Sequence, residues 1–383
     1  MKKIKVMLVF GTRPEAIKMA PLALELNNDG HFDVKICVTA QHRQMLDQVL
    51  SIFNIKPDFD LDIMKPSQSL SHITSSVLHG LDKILSEERP DLVLVHGDTT
   101  TTFAAALSAF YAKIPVGHVE AGLRTYNIYS PFPEEINRRL TSHISTLHFA
   151  PTQRNKENLL RENITDNVFV CGNTVIDAIK LTVKKDYKFK SSSLQSLHDC
   201  KNRIVLVTAH RRENLGLPLE NICAAVKRLA EDFPDVKIVY PVHLNPSVQK
   251  TVYSMLSNIQ NVILCEPLCV EDMHNLIAHS YIVLTDSGGL QEEAPALGKP
   301  VIVMRNETER PEAIDADTVR IAGIEKDNIY SLSAELLTST SAYKKMSHAV
   351  NPYGDGRASK RIAEAILYYF GMGEKPEEFV YNS

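Results

Sequence analysis

Short apolar runs alternate with segments of helical period along almost the whole chain. The runs are rich in Val, Ile and Leu and are continuous, which is typical of strands buried on both faces of a helix-covered parallel sheet. The pattern predicts βαβ units and an α/β fold. The predicted strands are residues 4–10, 34–38, 92–96, 116–119, 147–150, 168–171, 204–208, 236–241, 262–265, 282–285, 301–304 and 319–321. The predicted helices include residues 15–27, 41–53, 69–85, 100–111, 134–145, 219–232, 290–297 and 358–370.

The length of 383 residues favours two domains, because single domains commonly hold about 100–200 residues. A polar, lysine-rich stretch at 184–202 separates two similar series of strands. We expect residues 1–172 to form an N-terminal Rossmann-like domain and residues 173–383 to form a C-terminal one. The last helix, near residues 357–370, is long enough to cross back and pack on the first domain.

Composition excludes several classes of function. The net charge of −4 gives no electrostatic case for a nucleic-acid partner. No apolar run approaches the about 20 residues that span a bilayer, and the first strand is too short for a signal peptide, so we expect a cytoplasmic protein. The scattered cysteines form no C-x-x-C pair, which predicts small buried residues rather than metal ligands. They are Cys37, Cys171, Cys200, Cys223, Cys265 and Cys269.

Three carboxylates lie at the ends of predicted strands or at the start of a predicted helix. Asp98 and Glu120 follow predicted strands, and Glu134 opens a predicted helix. The carboxyl ends of parallel strands converge on the ligand crevice of open α/β folds, so these side chains predict proton-transfer chemistry. Two simpler interpretations remain open at this point. Asp98 could cap the helix that begins at Thr100, and Glu134 could pair with Arg138 one turn along the helix.

Two strand-to-helix junctions predict anion binding. The first follows residues 4–10 and carries Arg13 and Lys18, and the second contains the glycine-rich run 287–289 followed by acidic residues. A helix N-terminus presents free N–H groups to an anion, and glycine lets a phosphate approach the backbone. Solvated charges at a helix start and an ordinary glycine-rich turn are the alternatives. Taken together, the two junctions favour nucleotide binding.

A third group of donors lies at the predicted strand ends of the second half. His210 is followed by Arg211 and Arg212, Arg310 precedes a predicted helix, and His243 ends another strand. Such donors could neutralise a diphosphate. Binding of the same ligand by His243 has weaker support, because a lone histidine is more often structural.

These motifs occur together in a known family. The chain resembles the bacterial non-hydrolysing UDP-N-acetylglucosamine 2-epimerases, and the resemblance runs essentially end to end and in order. The matching segments are GTRPEAIKMAPL from Gly11, TAQHRQMLDQVL from Thr39, VHGDTTTT from Val95, GHVEAGLRT from Gly117, SPFPEEINR from Ser130, TAHRREN from Thr208, YPVHLNP from Tyr240, DSGGLQEEAPALGKPV from Asp286, ERPEA from Glu309 and NPYGDG from Asn351.

The resemblance implies a GT-B-like architecture, with two Rossmann-like domains facing each other across a cleft that holds the active site. It also implies a homodimer without a metal or other cofactor. The implied reaction interconverts UDP-GlcNAc and UDP-ManNAc and supplies ManNAc units for cell-surface polysaccharide. UDP leaves as the proton on C2 is removed, and 2-acetamidoglucal is then reprotonated on its other face while UDP adds back.

The resemblance also assigns residues. It makes Asp98, Glu120 and Glu134 the acid–base candidates, with Arg138 tuning them and His210 stabilising the departing diphosphate. The residues implied to bind substrate or UDP are Arg13, Lys18, Asp98, Glu120, His210, Leu268, Met273, Ser287, Gly288, Gly289, Glu293 and Arg310. A second, regulatory UDP-GlcNAc site would involve Gln41, Gln44, Arg211 and His243.

One departure and two competing functions accompany this hypothesis. Met273 stands where the family often has a phenylalanine beside uracil, and it offers a softer packing surface there. A hydrolysing epimerase, which releases ManNAc and UDP, has the same kind of site. A GT-B glycosyltransferase would share the nucleotide-binding half but would not need three clustered carboxylates.

Overall fold

The computed structural model describes residues 2–41, 43–65, 68–197, 201–308 and 310–381. Cys200 and Glu309, which the sequence analysis names, lie outside these residues. The chain forms two compact units. Unit 1 comprises Met1–Lys180 and Tyr353–Val380, and unit 2 comprises Leu181–Pro352 and Tyr381–Ser383.

Unit 1 is built on a parallel sheet in the order β3-β2-β1-β4-β5-β6-β7. Its strands are β1 Ile4–Phe10, β2 Phe32–Val38, β3 Phe59–Asp60, β4 Leu92–His96, β5 Val116–Val119, β6 Leu147–Ala150 and β7 Val168–Val170. Its first helices are α1 Arg13–Asn28, α2 Arg43–Ile52, α3 Leu70–Glu88, α4 Thr100–Tyr111, α5 Glu134–Ile144, α6 Gln153–Arg161 and α7 Thr174–Thr182, the last of which ends in unit 2.

Unit 2 repeats this plan with a parallel sheet in the order β10-β9-β8-β11-β12-β13. Its strands are β8 Arg203–Thr208, β9 Val236–Pro241, β10 Val262–Cys265, β11 Ile282–Thr285, β12 Val301–Val303 and β13 Val319–Ile321. Its helices are α8 Leu217–Asp232, α9 Pro246–Leu256, α10 Val270–His279, α11 Leu290–Ala296, α12 Pro311–Asp315, α13 Lys326–Thr338 and α14 Thr340–Ser347. Short 3₁₀ turns cover Ser192–Leu197 and Arg212–Asn214. The final helix, α15 Ala358–Tyr369, belongs to unit 1 and packs on α1.

The cores follow from the apolar runs that predicted the strands. All five residues of β4 are buried, as are all four of β11, because helices cover both faces of each sheet. The predicted two Rossmann-like halves with parallel sheets are therefore confirmed. One strand was missed: β3 has two residues, too few for any periodicity. Within the described residues, none of the helices has the length and apolar character to span a bilayer.

Each sheet has one point where the strand order reverses. In unit 1 it lies between β1 and β4, and in unit 2 between β8 and β11. Loops that leave two such strands run in opposite directions and open a crevice at the carboxyl edge, where ligands bind in open α/β sheets. The motifs found in the sequence lie at these two edges.

Candidate active site

Asp98 lies just beyond β4, at the switch point of unit 1. The interpretation of Asp98 as the cap of α4 is wrong. Thr99 is the N-cap, and its hydroxyl accepts a hydrogen bond from Thr102 N at 3.1 Å. The Asp98 carboxylate instead accepts from Arg138 Nη2 at 2.7 Å, and its carbonyl accepts from Asn137 Nδ2 at 3.0 Å. Helix α5 therefore holds both the side chain and the backbone of Asp98.

Arg138 joins two carboxylates, but Glu134 is not one of them. Its Nη1 lies 3.4 Å from Glu135 Oε2, and its side chain is buried. Glu135 is itself buried and accepts hydrogen bonds from Thr125 N at 2.9 Å and Tyr126 N at 3.0 Å. The proposed pairing of Glu134 with Arg138 at helix spacing is therefore not the one that forms.

Glu134 occupies the first position of α5 and is half-buried. Sequence reasoning missed its neighbour Glu135, since spacings of three and four residues both bring helix side chains together. Which carboxylate faces Arg138 depends on the rotation of α5 against the sheet, which no local pattern specifies.

Glu120 follows β5 and is the most constrained of the three predicted acid–base residues. Its φ of +63° is left-handed, a conformation that costs a non-glycine residue on the order of 1–3 kcal/mol and clusters at functional sites. Its carboxylate accepts a hydrogen bond from Lys18 Nζ and one from Asn173 Nδ2 at 2.9 Å. His96 Nε2 lies 3.6 Å from the other carboxylate oxygen.

His96, which lies beside Glu120, is uncharged at neutral pH. The pKa of His96 is lowered to about 4, mainly by burial, with Glu120 opposing the shift and Lys18 adding to it. His96 is therefore neutral near pH 7, and the cation that faces the Glu120 carboxylate is the ammonium of Lys18.

Gly97 precedes Asp98 in the chain and lies against the Glu120 carboxylate. Its φ is +68°, and a Cβ there would lie 3.3 Å from Glu120 Oε2. Its carbonyl oxygen receives His118 Nε2 at 2.7 Å. The Glu120 carboxylate thus lies directly against the residue that precedes Asp98, and a side chain at Gly97 would crowd it.

The first junction predicted to bind an anion lies at the start of α1, and the buried carboxylate of Glu15 holds it by hydrogen bonds. This carboxylate accepts from Gly11 N at 3.1 Å, Thr12 N at 2.7 Å and Thr99 Oγ1 at 2.7 Å. Two N–H groups of the junction are therefore already occupied. Arg13 takes the first position of α1 at intermediate exposure, and Lys18 one turn later reaches Glu120.

The residues assigned to a regulatory site fall in both units. In unit 1, Gln41 Oε1 accepts from Thr101 Oγ1 at 3.0 Å, and Gln44 is exposed on α2. In unit 2, the His243 ring stacks on His210 with centroids 5.4 Å apart and planes 13° apart. Arg211 also lies in unit 2, beside His210 in the chain.

Asp286 organises the switch point of unit 2. It is fully buried, and its Oδ2 accepts from His210 N at 2.8 Å, Arg211 N at 2.8 Å and Asn214 Nδ2 at 3.0 Å. His210 Nδ1 lies 3.4 Å from the other oxygen, and the His210 side chain keeps 41% of its exposure. Burial lowers the pKa of His210, and the nearby Asp286 opposes that shift. Sequence reasoning overlooked Asp286 as the support of the His210 loop.

The glycine-rich junction lies at the start of α11. A Cβ on Gly288 would lie 3.3 Å from the Arg310 guanidinium, so the glycine lets that cation approach the backbone. Arg310 Nε donates to Glu292 Oε1 at 2.8 Å. Glu293 Oε2 lies 3.7 Å from His274 Nε2. Glu292 therefore holds Arg310 in place beside the turn at Ser287.

Leu268 and Met273 flank the start of α10. Leu268 is buried and Met273 is partly buried on the first turn of the helix.

The described cysteines are free thiols, and all but the partly buried Cys269 are buried. Among the described residues, no group of three or more His, Cys, Asp or Glu side chains is arranged to hold a metal ion.

Comparison with known proteins decides the family. The model of the family described as UDP-N-acetylglucosamine 2-epimerase matches residues 24–367. The chain belongs to this family. The UDP-N-acetylglucosamine 2-epimerase of Bacillus subtilis (strain 168) is 57% identical over 381 residues, which cover 99% of each chain. The epimerase of the same description from Escherichia coli (strain K12) is 53% identical over 371 residues, 95% of this chain and 98% of that one. The resemblance inferred from the motifs is confirmed.

Solved structures extend the match to three dimensions. The UDP-GlcNAc 2-epimerase from Neisseria meningitidis, solved bound to UDP-GlcNAc, has a TM-score of 0.88 and 53% identity, covering 95% of this chain and 100% of that one. The Methanocaldococcus jannaschii enzyme, in complex with UDP-GlcNAc and UDP, has a TM-score of 0.79 and 34% identity over 95% and 99% of the chains. A glycosyltransferase of kitacinnamycin, at 12% identity and a TM-score of 0.64 over 95% and 100% of the chains, shares the fold alone. The family's GT-B-like fold is thus that of this chain.

Proposed function

We propose that this epimerase interconverts UDP-GlcNAc and UDP-ManNAc by elimination and re-addition of UDP, without net hydrolysis. The observation that carries the proposal is the pair of carboxylates at adjacent strand ends, Asp98 and Glu120, each bonded to a cation, with the Glu120 carboxylate against Gly97, the residue before Asp98. Inversion at one carbon needs proton acceptors or donors on both faces, which a single carboxylate cannot provide.

The reaction divides into two steps that balance. In the first, a carboxylate takes the C2 proton, the C1–O bond breaks, and the electrons of the C–H bond form the C1=C2 bond of 2-acetamidoglucal while UDP leaves with the bonding pair. In the second, a UDP oxygen attacks C1 while a second carboxyl group, which is protonated before the first step, delivers its proton to the opposite face of C2, so that the two carboxyl groups end with exchanged protonation states. Aligned acid–base groups typically contribute about 10²–10⁴-fold each.

Unit 1 supplies the groups for proton transfer in this proposal. Arg138 pairs with Asp98 and Lys18 pairs with Glu120, so each of these two carboxyl groups has a cation beside it. Glu134 is the third acid–base candidate, because it begins α5, the helix that holds Asp98. Arg13 is proposed to contact the substrate from the start of α1.

Unit 2 supplies the groups for UDP. Arg310 beside Gly288 offers a cation where glycine allows a phosphate to approach the backbone. Arrival of a diphosphate would favour the protonated form of His210, which then stabilises the charge on departing UDP. We assign Ser287, Gly289 and Glu293 to the same nucleotide, and Leu268 and Met273 to the uracil.

The broader context completes the proposal. We propose a cytoplasmic homodimer that supplies ManNAc units for a surface polysaccharide and uses no metal or other cofactor. Substrate activation through Gln41, Gln44, Arg211 and His243 is part of the same proposal. Its test is the rate curve: added UDP-GlcNAc should stimulate turnover of UDP-ManNAc, and a strictly hyperbolic curve without that stimulation contradicts it.

Proton NMR of the reaction in D₂O tests the main proposal. Incubation with UDP-GlcNAc should yield UDP-ManNAc reversibly, with deuterium at C2 of both sugars. Accumulation of free ManNAc and UDP in place of UDP-ManNAc would assign the hydrolysing reaction. Transfer of the sugar to an added acceptor without exchange at C2 would assign a glycosyltransferase.

A further inference from the structure

Asn173 is a buried polar residue to which the proposed mechanism gives no role. It lies between the end of β7 and the start of α7 and is 3% exposed. Its Nδ2 donates to Glu120 Oε1 at 2.9 Å. The same oxygen accepts from Lys18. A neutral donor and a cation thus meet on one carboxylate oxygen of a proposed acid–base residue.

The orientation of the Asn173 amide is determined by its surroundings. Its Oδ1 accepts a hydrogen bond from Val175 N at 3.0 Å, at the start of α7. Because a backbone N–H can only donate, the oxygen of the amide must point there, and the NH₂ group must face Glu120. Asn173 therefore acts as a donor to the carboxylate and has no alternative flipped arrangement that keeps both bonds.

The backbone of Asn173 is held by the returning C-terminal segment. Its N–H donates to Tyr353 O at 2.7 Å. A Cβ on Gly172 would lie 3.3 Å from Gly354 Cα, and one on Gly354 would lie 3.3 Å from Asn173 N, so two glycines make this approach feasible. The contact brings the strand end that carries Asn173 against a segment distant in sequence.

Further bonds fix the returning segment in place. The Asp177 carboxylate accepts from Ala358 N at 3.2 Å and Ser359 N at 2.9 Å, at the start of α15. Arg361 Nη1 donates to Cys171 O at 3.3 Å. Asn173 is therefore braced by buried contacts on both sides, whereas Lys18 reaches Glu120 through a long, rotatable side chain.

We propose that Asn173 is a positioning residue for Glu120, and that residues 353–361 act through it to keep the carboxylate aimed at C2 of the sugar. The inference rests on the proposed epimerase reaction. Two other groups that face Glu120 are Lys18 and His96, of which Lys18 supplies charge and the neutral His96 does not. Asn173 supplies direction and a hydrogen bond that favours the ionised form.

Asn173→Asp is the sharpest test, because Asp keeps an oxygen for Val175 N and replaces only the donor with a second carboxylate. Two carboxylates at hydrogen-bond distance share a proton, and their titration moves to higher pH. We expect the limb of the pH–kcat profile that reports Glu120 to rise by at least about 1 pH unit. Affinity for UDP should stay within about twofold, since UDP is assigned to unit 2.

Asn173→Ala tests orientation without added charge. A misplacement of about 1 Å costs on the order of 10²-fold in rate, so kcat should fall by about that factor while KM changes little. The matched control is Asn155→Asp. Asn155 is another buried asparagine whose Oδ1 accepts a backbone N–H, that of Thr152 at 3.2 Å. It should leave kcat and the pH profile as in the wild type.

A readout independent of turnover separates this inference from the proposed function. In protein labelled with ¹³C at the glutamate carboxyls, the Glu120 signal is identified by its loss in Glu120→Gln. Its titration midpoint should rise in Asn173→Asp and not in Asn155→Asp, even if the wild type proves to lack epimerase activity. An unchanged midpoint and pH profile in Asn173→Asp overturn the inference, as does a loss of kcat in Asn173→Ala fully explained by loss of folded protein.

Discussion

The two units place acidic residues at the carboxyl edges of their sheets but bond them differently. Asp98 and Glu120 in unit 1, and Asp286 in unit 2, all follow strands at the carboxyl edge of a parallel sheet. The first two accept from the side chains of Arg138 and Lys18, and their side chains keep 26% and 14% of their exposure. Asp286 keeps 0%.

The partners of Asp286 explain the contrast. Two of its donors are the backbone N–H groups of His210 and Arg211, and the third is the amide of Asn214. Backbone donors tie a carboxylate to the shape of a loop, so losing it disturbs the fold. Side-chain cations leave the carboxylate accessible and able to exchange a proton. The bonding therefore fits a structural role for Asp286 in unit 2, and it agrees with the chemical role proposed for Asp98 and Glu120 in unit 1.

The largest expected effect tests the chemical side of this comparison. Asp98→Asn removes a proton acceptor while keeping the size of the side chain. We expect kcat to fall by about 10³-fold or more, within the range of a lost acid–base group and its electrostatics. The free energy of unfolding should change by less than about 1 kcal/mol, because the side chain is partly exposed. NMR of product formation and urea unfolding measure the two quantities.

Asp327→Asn is the control for that substitution. The Asp327 side chain is 83% exposed in unit 2, and its variant should match the wild type in both rate and stability. Normal turnover by Asp98→Asn would remove Asp98 from the proposed mechanism. The proposed contrast between a chemical Asp98 and a structural Asp286 would then fail.

For Asp286 in unit 2 we expect a smaller effect, which changes stability rather than the rate of the reaction. Asp286→Ala leaves three donors without their acceptor in a buried site. Each unsatisfied buried group costs about 1–3 kcal/mol, and partial relaxation reduces the sum, so we expect a loss of about 3 kcal/mol in the free energy of unfolding. Urea denaturation followed by circular dichroism measures it. Full stability with unaltered UDP binding would show that the His210 loop does not depend on Asp286.

The strands and the positions of Asp98 and Glu120 could be predicted because their signals are local. A continuous apolar run followed by a polar residue identifies a strand end without any knowledge of the neighbouring strands. The partners could not be predicted in this way. Asn173 meets Glu120 only because β7 and the segment at Tyr353 come together, which depends on contacts across about half the chain.

Helix rotation limited the prediction in a second way. The spacing of residues along α5 allowed either Glu134 or Glu135 to meet Arg138, and packing of the helix selected Glu135. The glycine-rich junction shows the same limit, since no local pattern specifies that the Glu292 carboxylate accepts a hydrogen bond from Arg310. Sequence identified the segments of the candidate site, and tertiary packing determined which side chains in them pair.

The smallest of the predicted effects concerns three buried histidines of unit 1 at acid pH. Burial lowers the pKa of His96 and of His148 to about 4 from the ordinary histidine value of 6.5, and it lowers that of His118 to about 3. The unfolded chain takes up protons at these histidines as the pH falls below 6.5, whereas the folded chain does not until near pH 4. Their contribution to stability is therefore complete above pH 6.5 and is lost progressively below it.

His148→Leu isolates one of these protons. The Nδ1 atom of His148 has no hydrogen-bond partner among the described residues, and leucine removes the bond of the ring to the Ser145 backbone at both pH values alike. Between pH 7 and pH 5 the wild type should lose about 2 kcal/mol more stability than the variant, the linkage of one proton over that window. Urea unfolding at both pH values gives the difference, with exposed His79→Leu as the control that should follow the wild type. Equal acid sensitivity of His148→Leu and the wild type would mean that His148 is protonated in the folded chain, and that unit 1 tolerates a buried charge at β6.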